Sequence, residues 1–179
     1  MKKLLQLVLT SADKTWFWLA VLFTCIGLEA GALYFQEVLG YFPCELCIYT
    51  RVWLTGIALV SLLALGLKHM LWCVRVLLIV ELILTAGLAH VTWRLLGLEY
   101  GWGPEGACSL VANFPSWARL DEWWPTLFLV QDSCAATPIV LFNLSMADGL
   151  AICSAGFCTA FLLSLWGHFR SPPVGVDRV

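Results

Sequence analysis

The chain has 179 residues, 61% of them hydrophobic and only 12% charged, with a mean hydropathy of +0.87 and a formal net charge of −2. An average soluble domain carries about 25% charged residues, so the composition marks an integral membrane protein and excludes an ordinary soluble enzyme. The near-neutral, slightly acidic balance argues against nucleic-acid binding, and the length suits one compact domain over 1–179.

In chain order, Met1-Lys2-Lys3 precedes a short apolar run over residues 4–9. It resembles a signal peptide, but Ser11-Ala12-Asp13-Lys14 makes a poor cleavage site, so it reads as a cytoplasmic lead-in with an interfacial helix. Four later stretches, about 16–36, 48–67, 71–93 and 149–167, are apolar and long enough to cross a bilayer, which takes roughly 20 helical residues. They lack the alternation of barrel strands, and lipid admits only helices or closed barrels. The expected fold is an all-α membrane protein, a four-transmembrane-helix bundle with loops at about 37–47 and 94–148.

Loop charges set the expected orientation. Lys2, Lys3 and Lys14 outweigh Asp13 at the N-terminus, Lys68 and Arg75 mark the turn between spans two and three, and Arg170 and Arg178 outweigh Asp177 in the tail. The first loop holds Glu37 and Glu45 with no Lys or Arg, and the long loop sets Arg94 and Arg119 against Glu99, Glu105, Asp121, Glu122, Asp132 and Asp148. Both termini are therefore expected in the cytoplasm and both acidic loops outside.

Four of the eight cysteines, Cys44, Cys47, Cys108 and Cys134, fall in those loops. Cys25, Cys73, Cys153 and Cys158 fall in the spans, where free cysteine serves as a small packing residue. In Pro43-Cys44-Glu45-Leu46-Cys47 the C-x-x-C pair stands where the first loop enters span two. A C-x-x-C pair closes a small ring that is readily made and broken, and a helix start favours the thiolate. The acid at Glu45 opposes this by raising the thiolate pKa slightly. Arg51 follows Cys47 by one helical turn on the same face. An arginine inside a span is costly. It either snorkels to the headgroups or supports the Cys47 thiolate and a carbonyl oxygen. Glu29 in span one and Glu81 in span three suit either proton handling or a buried, hydrogen-bonded acid. Of the three histidines, only His90 stands near the redox end of the bundle.

The long loop is expected to carry its own structure. Trp117, Leu120, Trp124 and Leu127 recur at spacings of three and four, and Pro115 and Pro125 bracket the run. This predicts one short amphipathic, membrane-parallel helix lying at headgroup level, where tryptophan prefers to sit. Cys108 and Cys134 flank it. They can pair as a structural staple, or exchange with the first pair through mixed disulfides.

Pro43-Cys44-x-x-Cys47-Ile48-Tyr49-x-Arg51, Glu29-x-x-x-x-Tyr34-Phe35-Gln36, and Cys108 and Cys134 about a Trp-rich segment resemble the bacterial disulfide bond formation protein B (DsbB) family over nearly the whole chain. The resemblance implies an enzyme of the bacterial inner membrane, a quinone-dependent protein-disulfide oxidoreductase. Its expected partner is a DsbA-like periplasmic protein of thioredoxin fold, and its expected cofactor is ubiquinone or menaquinone. It implies that Cys108 receives the partner's thiol, that Cys134 then attacks Cys44, and that Cys47 faces the quinone with Arg51 in support. The family often carries a histidine near the outer end of span three. Here Arg94 occupies that position and His90 lies one turn earlier, which makes both candidates for the quinone site. A vitamin K epoxide reductase-like enzyme also joins a bundle, C-x-x-C and a quinone, but its C-x-x-C lies on the last core helix. A structural membrane protein with two static disulfides leaves Arg51 unexplained. A four-cysteine zinc site is disfavoured by an oxidising compartment, so no metal is expected.

Overall fold

The computed structural model describes residues 11–103, 108–109, 111–134, 138–141 and 144–170. The expected lead-in helix over 4–9, Glu105, and the tail charges Asp177 and Arg178 lie outside these residues. Four long helices dominate: α1 (Thr15–Glu37), α2 (Glu45–Leu67), α3 (Leu71–Glu99) and α6 (Met146–Arg170). Two one-turn helices, α4 (Leu120–Trp123) and α5 (Pro125–Phe128), and a small antiparallel pair, β1 (Ile139–Leu141) with β2 (Leu144–Ser145), lie in the long connection. The four long helices are long and apolar enough to cross a membrane. At 1.5 Å per residue, the 23 residues of α1 or α2 extend about 35 Å, enough for a hydrocarbon core of about 30 Å.

The helices pack in sequence order, α1 on α2, α2 on α3 and α3 on α6. Small residues let them approach. A Cβ on Gly87 would lie 2.6 Å from Cζ2 of Trp53, so the indole of α2 fills the space that glycine leaves on α3. The ring is closed between α1 and α6 near the termini. There Phe17 meets Phe161 edge-on at 5.8 Å, and the Ser11 and Ser164 hydroxyls are 3.1 Å apart. His168, buried on α6, lies 3.3 Å from Asp13, and Arg75 donates to the His168 carbonyl at 3.0 Å. Glu81 is fully buried in the middle of α3, where Ser61 donates to its Oε1 at 2.9 Å.

At the opposite, cysteine-bearing end, the turns that follow α1 and α3 each contain a glycine with φ +73°, Gly40 and Gly101. The amides of Tyr41 and Gly103 then close back on the carbonyls of Phe35 and Gly97 at 3.0 and 2.7 Å. Both closures reach back six residues and turn the chain through a left-handed residue, which glycine adopts without steric cost.

Three expectations are adjusted. α2 starts at Glu45, not 48, because Cys44 caps it, so both cysteines of the pair belong to the helix entrance. α3 continues to Glu99, which puts Arg94 on the helix and not in a loop. The expected amphipathic helix is split in two: Trp124 has φ −137° and ψ 73°, outside the helical region. The residue before a proline is pushed out of the α region by the ring, so Pro125 ends one turn and starts the next. Trp117, Trp123 and Trp124 are all exposed, so none is spent on packing within the bundle. Of the span cysteines Cys25 is buried as expected, whereas Cys73, Cys153 and Cys158 are only half-buried.

Candidate active site

Two disulfides stand at the end of the bundle opposite the termini. Cys44–Cys47 spans 5.0 Å between Cα atoms and Cys108–Cys134 spans 5.9 Å, both within the usual disulfide range. Cys44 is the N-cap of α2, with its Sγ accepting from the Cys47 amide at 3.2 Å. Both sulfurs thus sit where the helix has unpaired N–H groups and a partial positive charge, which favours thiolate when the bond opens. Cys44 is buried and Cys47 half-buried, while Cys134 is buried and Cys108 half-buried.

The long connection is seated on α2 and its entrance by a series of polar contacts. The amides of Gln131 and Asp132 donate to the Pro43 carbonyl at 3.0 and 3.4 Å, and Cys44 and Asp132 form a parallel bridge. This brings the Cys134 segment alongside Cys44. The Cys134 amide points at the Cys108 sulfur at 3.1 Å. Glu45 Oε2 accepts from the Ser109 amide at 2.6 Å, and the Tyr49 hydroxyl accepts from the Asn113 amide at 2.8 Å. Arg51, 5% exposed, donates through Nη1 to the Leu127 carbonyl at 2.9 Å and to Gln36 Oε1 at 2.8 Å. Gln36 in turn donates through Nε2 to the Thr126 carbonyl at 2.9 Å. Arg51 therefore does not snorkel. It is a buried cation that ties α1, α2 and α5 together.

Beneath the cysteines lies a cavity of about 360 Å³ bounded by α1, α2 and α6, with Cys44, Cys47 and Cys134 in its wall. Leu28, Ala32, Phe35, Leu54, Leu95 and Leu150 give it an apolar lining, and Glu29 and Arg51 reach it as the ionisable side chains of the spans. Gly27, Gly31 and Gly149 also border it, and a Cβ on any of them would meet nothing within 4 Å. Glu29 Oε1 and Arg51 Nε are buried without a hydrogen-bond partner among the described residues, and the two groups lie within electrostatic range of each other. An apolar slot with smooth glycine walls, a redox disulfide at its edge and unspent donor and acceptor atoms suits a flat ring bearing carbonyl oxygens.

The expected site residues are distributed unevenly about this cavity. Cys44, Cys47, Cys134 and Arg51 line it, and Cys108 is attached through its bond to Cys134. His90 is exposed on α3 and Arg94 is half-buried on the side near Tyr49. Neither lines the cavity, because α3 turns Leu95 towards it. The roles of Gln36, Glu45 and Tyr49 as anchors were not anticipated. The signal for Gln36 was an amide in the last turn of an apolar span. The signal for Glu45 was an acid at the first position of a helix, where it can reach outward to a neighbouring amide.

A helical bundle of four candidate membrane spans with two neighbouring disulfides at one end defines a multi-pass membrane protein organised about two cysteine pairs. A family model described as disulfide bond formation protein DsbB matches residues 14–164, and the chain belongs to that family. Among curated proteins named Disulfide bond formation protein B, the one from Shewanella denitrificans is 35% identical over 150 residues, covering 83% of this chain and 85% of that protein. The one from Photorhabdus laumondii is 32% identical over 155 residues, covering 86% and 90%. The one from Vibrio parahaemolyticus is 32% identical over 160 residues, covering 85% of each.

Proposed function

We propose that this protein reoxidises a DsbA-like periplasmic dithiol protein of thioredoxin fold and passes the electrons to a membrane quinone, ubiquinone or menaquinone. In this reading it is one domain over 1–179 in the bacterial inner membrane, with both termini cytoplasmic and both disulfides periplasmic. The observation that carries it is the meeting of Cys44, Cys47 and Cys134 at the edge of one cavity that also holds Arg51 and Glu29.

The half-buried Cys108 is the accessible sulfur of the loop pair, which suits it to receive the partner's thiolate. That attack breaks Cys108–Cys134 and releases the Cys134 thiolate. Cys134 attacks Cys44, forming Cys44–Cys134 and releasing the Cys47 thiolate at the helix start. The partner's second thiol breaks its bond to Cys108 and leaves as a disulfide. Cys108 then attacks Cys134, restoring the loop pair and freeing Cys44. The Cys44–Cys47 dithiol gives up two electrons and two protons and closes again. A bound quinone would supply the oxidising power by accepting those two electrons and two protons. Arg51 and Glu29 are the groups that would hold its carbonyl oxygens, and the glycine faces of α1 and α6 would admit its ring. His90 and Arg94, outside the lining, are left without ring contact in this reading. The exposed Trp117, Trp123 and Trp124 would keep the long loop at the headgroup level.

The test uses purified protein in lipid nanodiscs with ubiquinone and the reduced partner. Cys44→Ser, Cys47→Ser, Cys108→Ser and Cys134→Ser are each expected to stop steady quinone consumption, and Arg51→Ala to weaken chiefly the dependence on quinone. Sustained turnover in Cys108→Ser or Cys134→Ser would rule out the relay.

A further inference from the structure

We propose that Glu45, assisted by Tyr49, is a positioning residue that clamps the segment after Cys108 onto α2 and thereby favours closure of the Cys108–Cys134 disulfide. The inference deepens the relay reading, because the clamp matters to turnover only if the loop pair exchanges with Cys44.

Glu45 occupies the first position of α2, between the two cysteines of the C-x-x-C pair. It is 9% exposed, an unusual state for a carboxylate so close to a helix end. Its Oε2 accepts from the Ser109 amide at 2.6 Å, across 64 residues of sequence. One turn further along α2, the Tyr49 hydroxyl accepts from the Asn113 amide at 2.8 Å and lies in interaction range of the same carboxylate. Phe114 packs edge-on against the Tyr49 ring at 5.9 Å. Three successive attachments therefore begin at the residue immediately after Cys108.

The other half of the pair is held separately, by Gln131 and Asp132 on the Pro43 carbonyl. Opening the disulfide does not break either set of attachments. Cys108 and Cys134 then remain close as thiols, at a high effective concentration relative to a free loop. The acid within the C-x-x-C pair acts on the second pair by geometry, besides any field it exerts on Cys44 and Cys47. A hydrogen bond to a charged acceptor is among the stronger kind, so its loss is large enough to read in a thiol–disulfide equilibrium.

The experiment measures the glutathione equilibrium of the Cys108–Cys134 pair in nanodiscs, by alkylation and mass spectrometry, in a C44S/C47S background. Serine at 44 keeps an N-cap acceptor, and the background contains no relay, so the result is independent of turnover. Glu45→Ala is expected to lower the equilibrium constant for disulfide formation about tenfold, which is about 30 mV towards a more oxidising potential. Glu45→Gln, which keeps a carbonyl acceptor without the charge, should recover part of that loss. Tyr49→Phe should lower the constant about threefold, and Glu122→Ala, an exposed loop acid, should leave it unchanged. The proposal is overturned if Glu45→Ala and Tyr49→Phe both stay within twofold of the parent. It is equally overturned if Glu122→Ala falls as far as Glu45→Ala, since general charge would then be the cause. Glu45→Gln and Tyr49→Phe keep the test decisive if Glu45→Ala fails to fold.

Discussion

Replacing Gln36 by leucine should unseat α5 while leaving the bundle intact. Leucine has a similar volume and suits an apolar helix, so packing is little disturbed. Two hydrogen bonds that reach beyond α1 go: Nε2 to the Thr126 carbonyl at 2.9 Å, and Arg51 Nη1 to Oε1 at 2.8 Å; a third, from Nε2 to Oε1 of the exposed Glu37 at 2.9 Å, is replaced by water. The first is a neutral bond worth about 0.5–1.5 kcal/mol and the second a charge-assisted one worth about 1.5–3 kcal/mol. Thr126 is exposed, so water replaces most of the first, and Arg51 keeps its bond to Leu127. A net loss of about 2–3 kcal/mol remains, or about 30- to 150-fold in the local opening equilibrium. Hydrogen exchange reads this directly at Leu127, Phe128 and Leu129, whose amides bond to Trp124 and Pro125 carbonyls at 3.0 Å. Those amides should exchange faster by that factor, with the middle of α3 unaffected. An acceleration below threefold at 127–129 would refute the assignment of Gln36 and Arg51 as the seat of α5.

Two further outcomes follow from other parts of the molecule. Gly87→Ala places a methyl 2.6 Å from the Trp53 ring and should cost about 1–3 kcal/mol, seen as a lower melting temperature in mild detergent. Adding Trp53→Leu should recover part of the loss, and strictly additive effects would sink the packing argument. The Tyr100 hydroxyl donates to Asp148 at 3.0 Å, and this bond to a carboxylate, with lesser desolvation and charge effects, raises its pKa above the ordinary tyrosine value of 10.0. The bond exists while Tyr100 is protonated and is lost as pH rises through the raised value. Asp148→Asn should therefore bring the Tyr100 titration down, measured by NMR of ring-labelled tyrosine with Tyr100→Phe for assignment. An unchanged titration would count against the contact.

The spans were legible because hydropathy and length are local quantities: 16–36 was expected where α1 runs from Thr15 to Glu37. The ends were less so. Cys44 capping α2 and Gly101 closing α3 depend on backbone angles that composition does not report, which is why Arg94 was assigned to a loop. The four loop cysteines stood out by residue type and placement, and the structure pairs them as Cys44–Cys47 and Cys108–Cys134. The internal order of the long loop was the least legible part. Its helical period was visible, but Trp117 lies outside both turns and Trp124 at the break between them. Its seat is fixed by contacts to Gln36, Glu45, Tyr49 and Arg51 over 64 to 90 residues of sequence, and no local pattern encodes those.

The hydrogen bonds that seat the long loop share one property. On the loop side the atoms grasped are the amides of Ser109, Asn113, Gln131 and Asp132 and the carbonyls of Thr126 and Leu127. Every one belongs to the main chain. By hydrogen bonding the bundle thus recognises the loop's path, and the Phe114 ring on Tyr49 adds a side-chain contact to that grip. Residues at these six positions can be exchanged, proline apart at the amide donors, without loosening the grip. In the proposed relay, the surface facing the dithiol partner is then open to change while these main-chain contacts keep Cys108 and Cys134 beside Cys44.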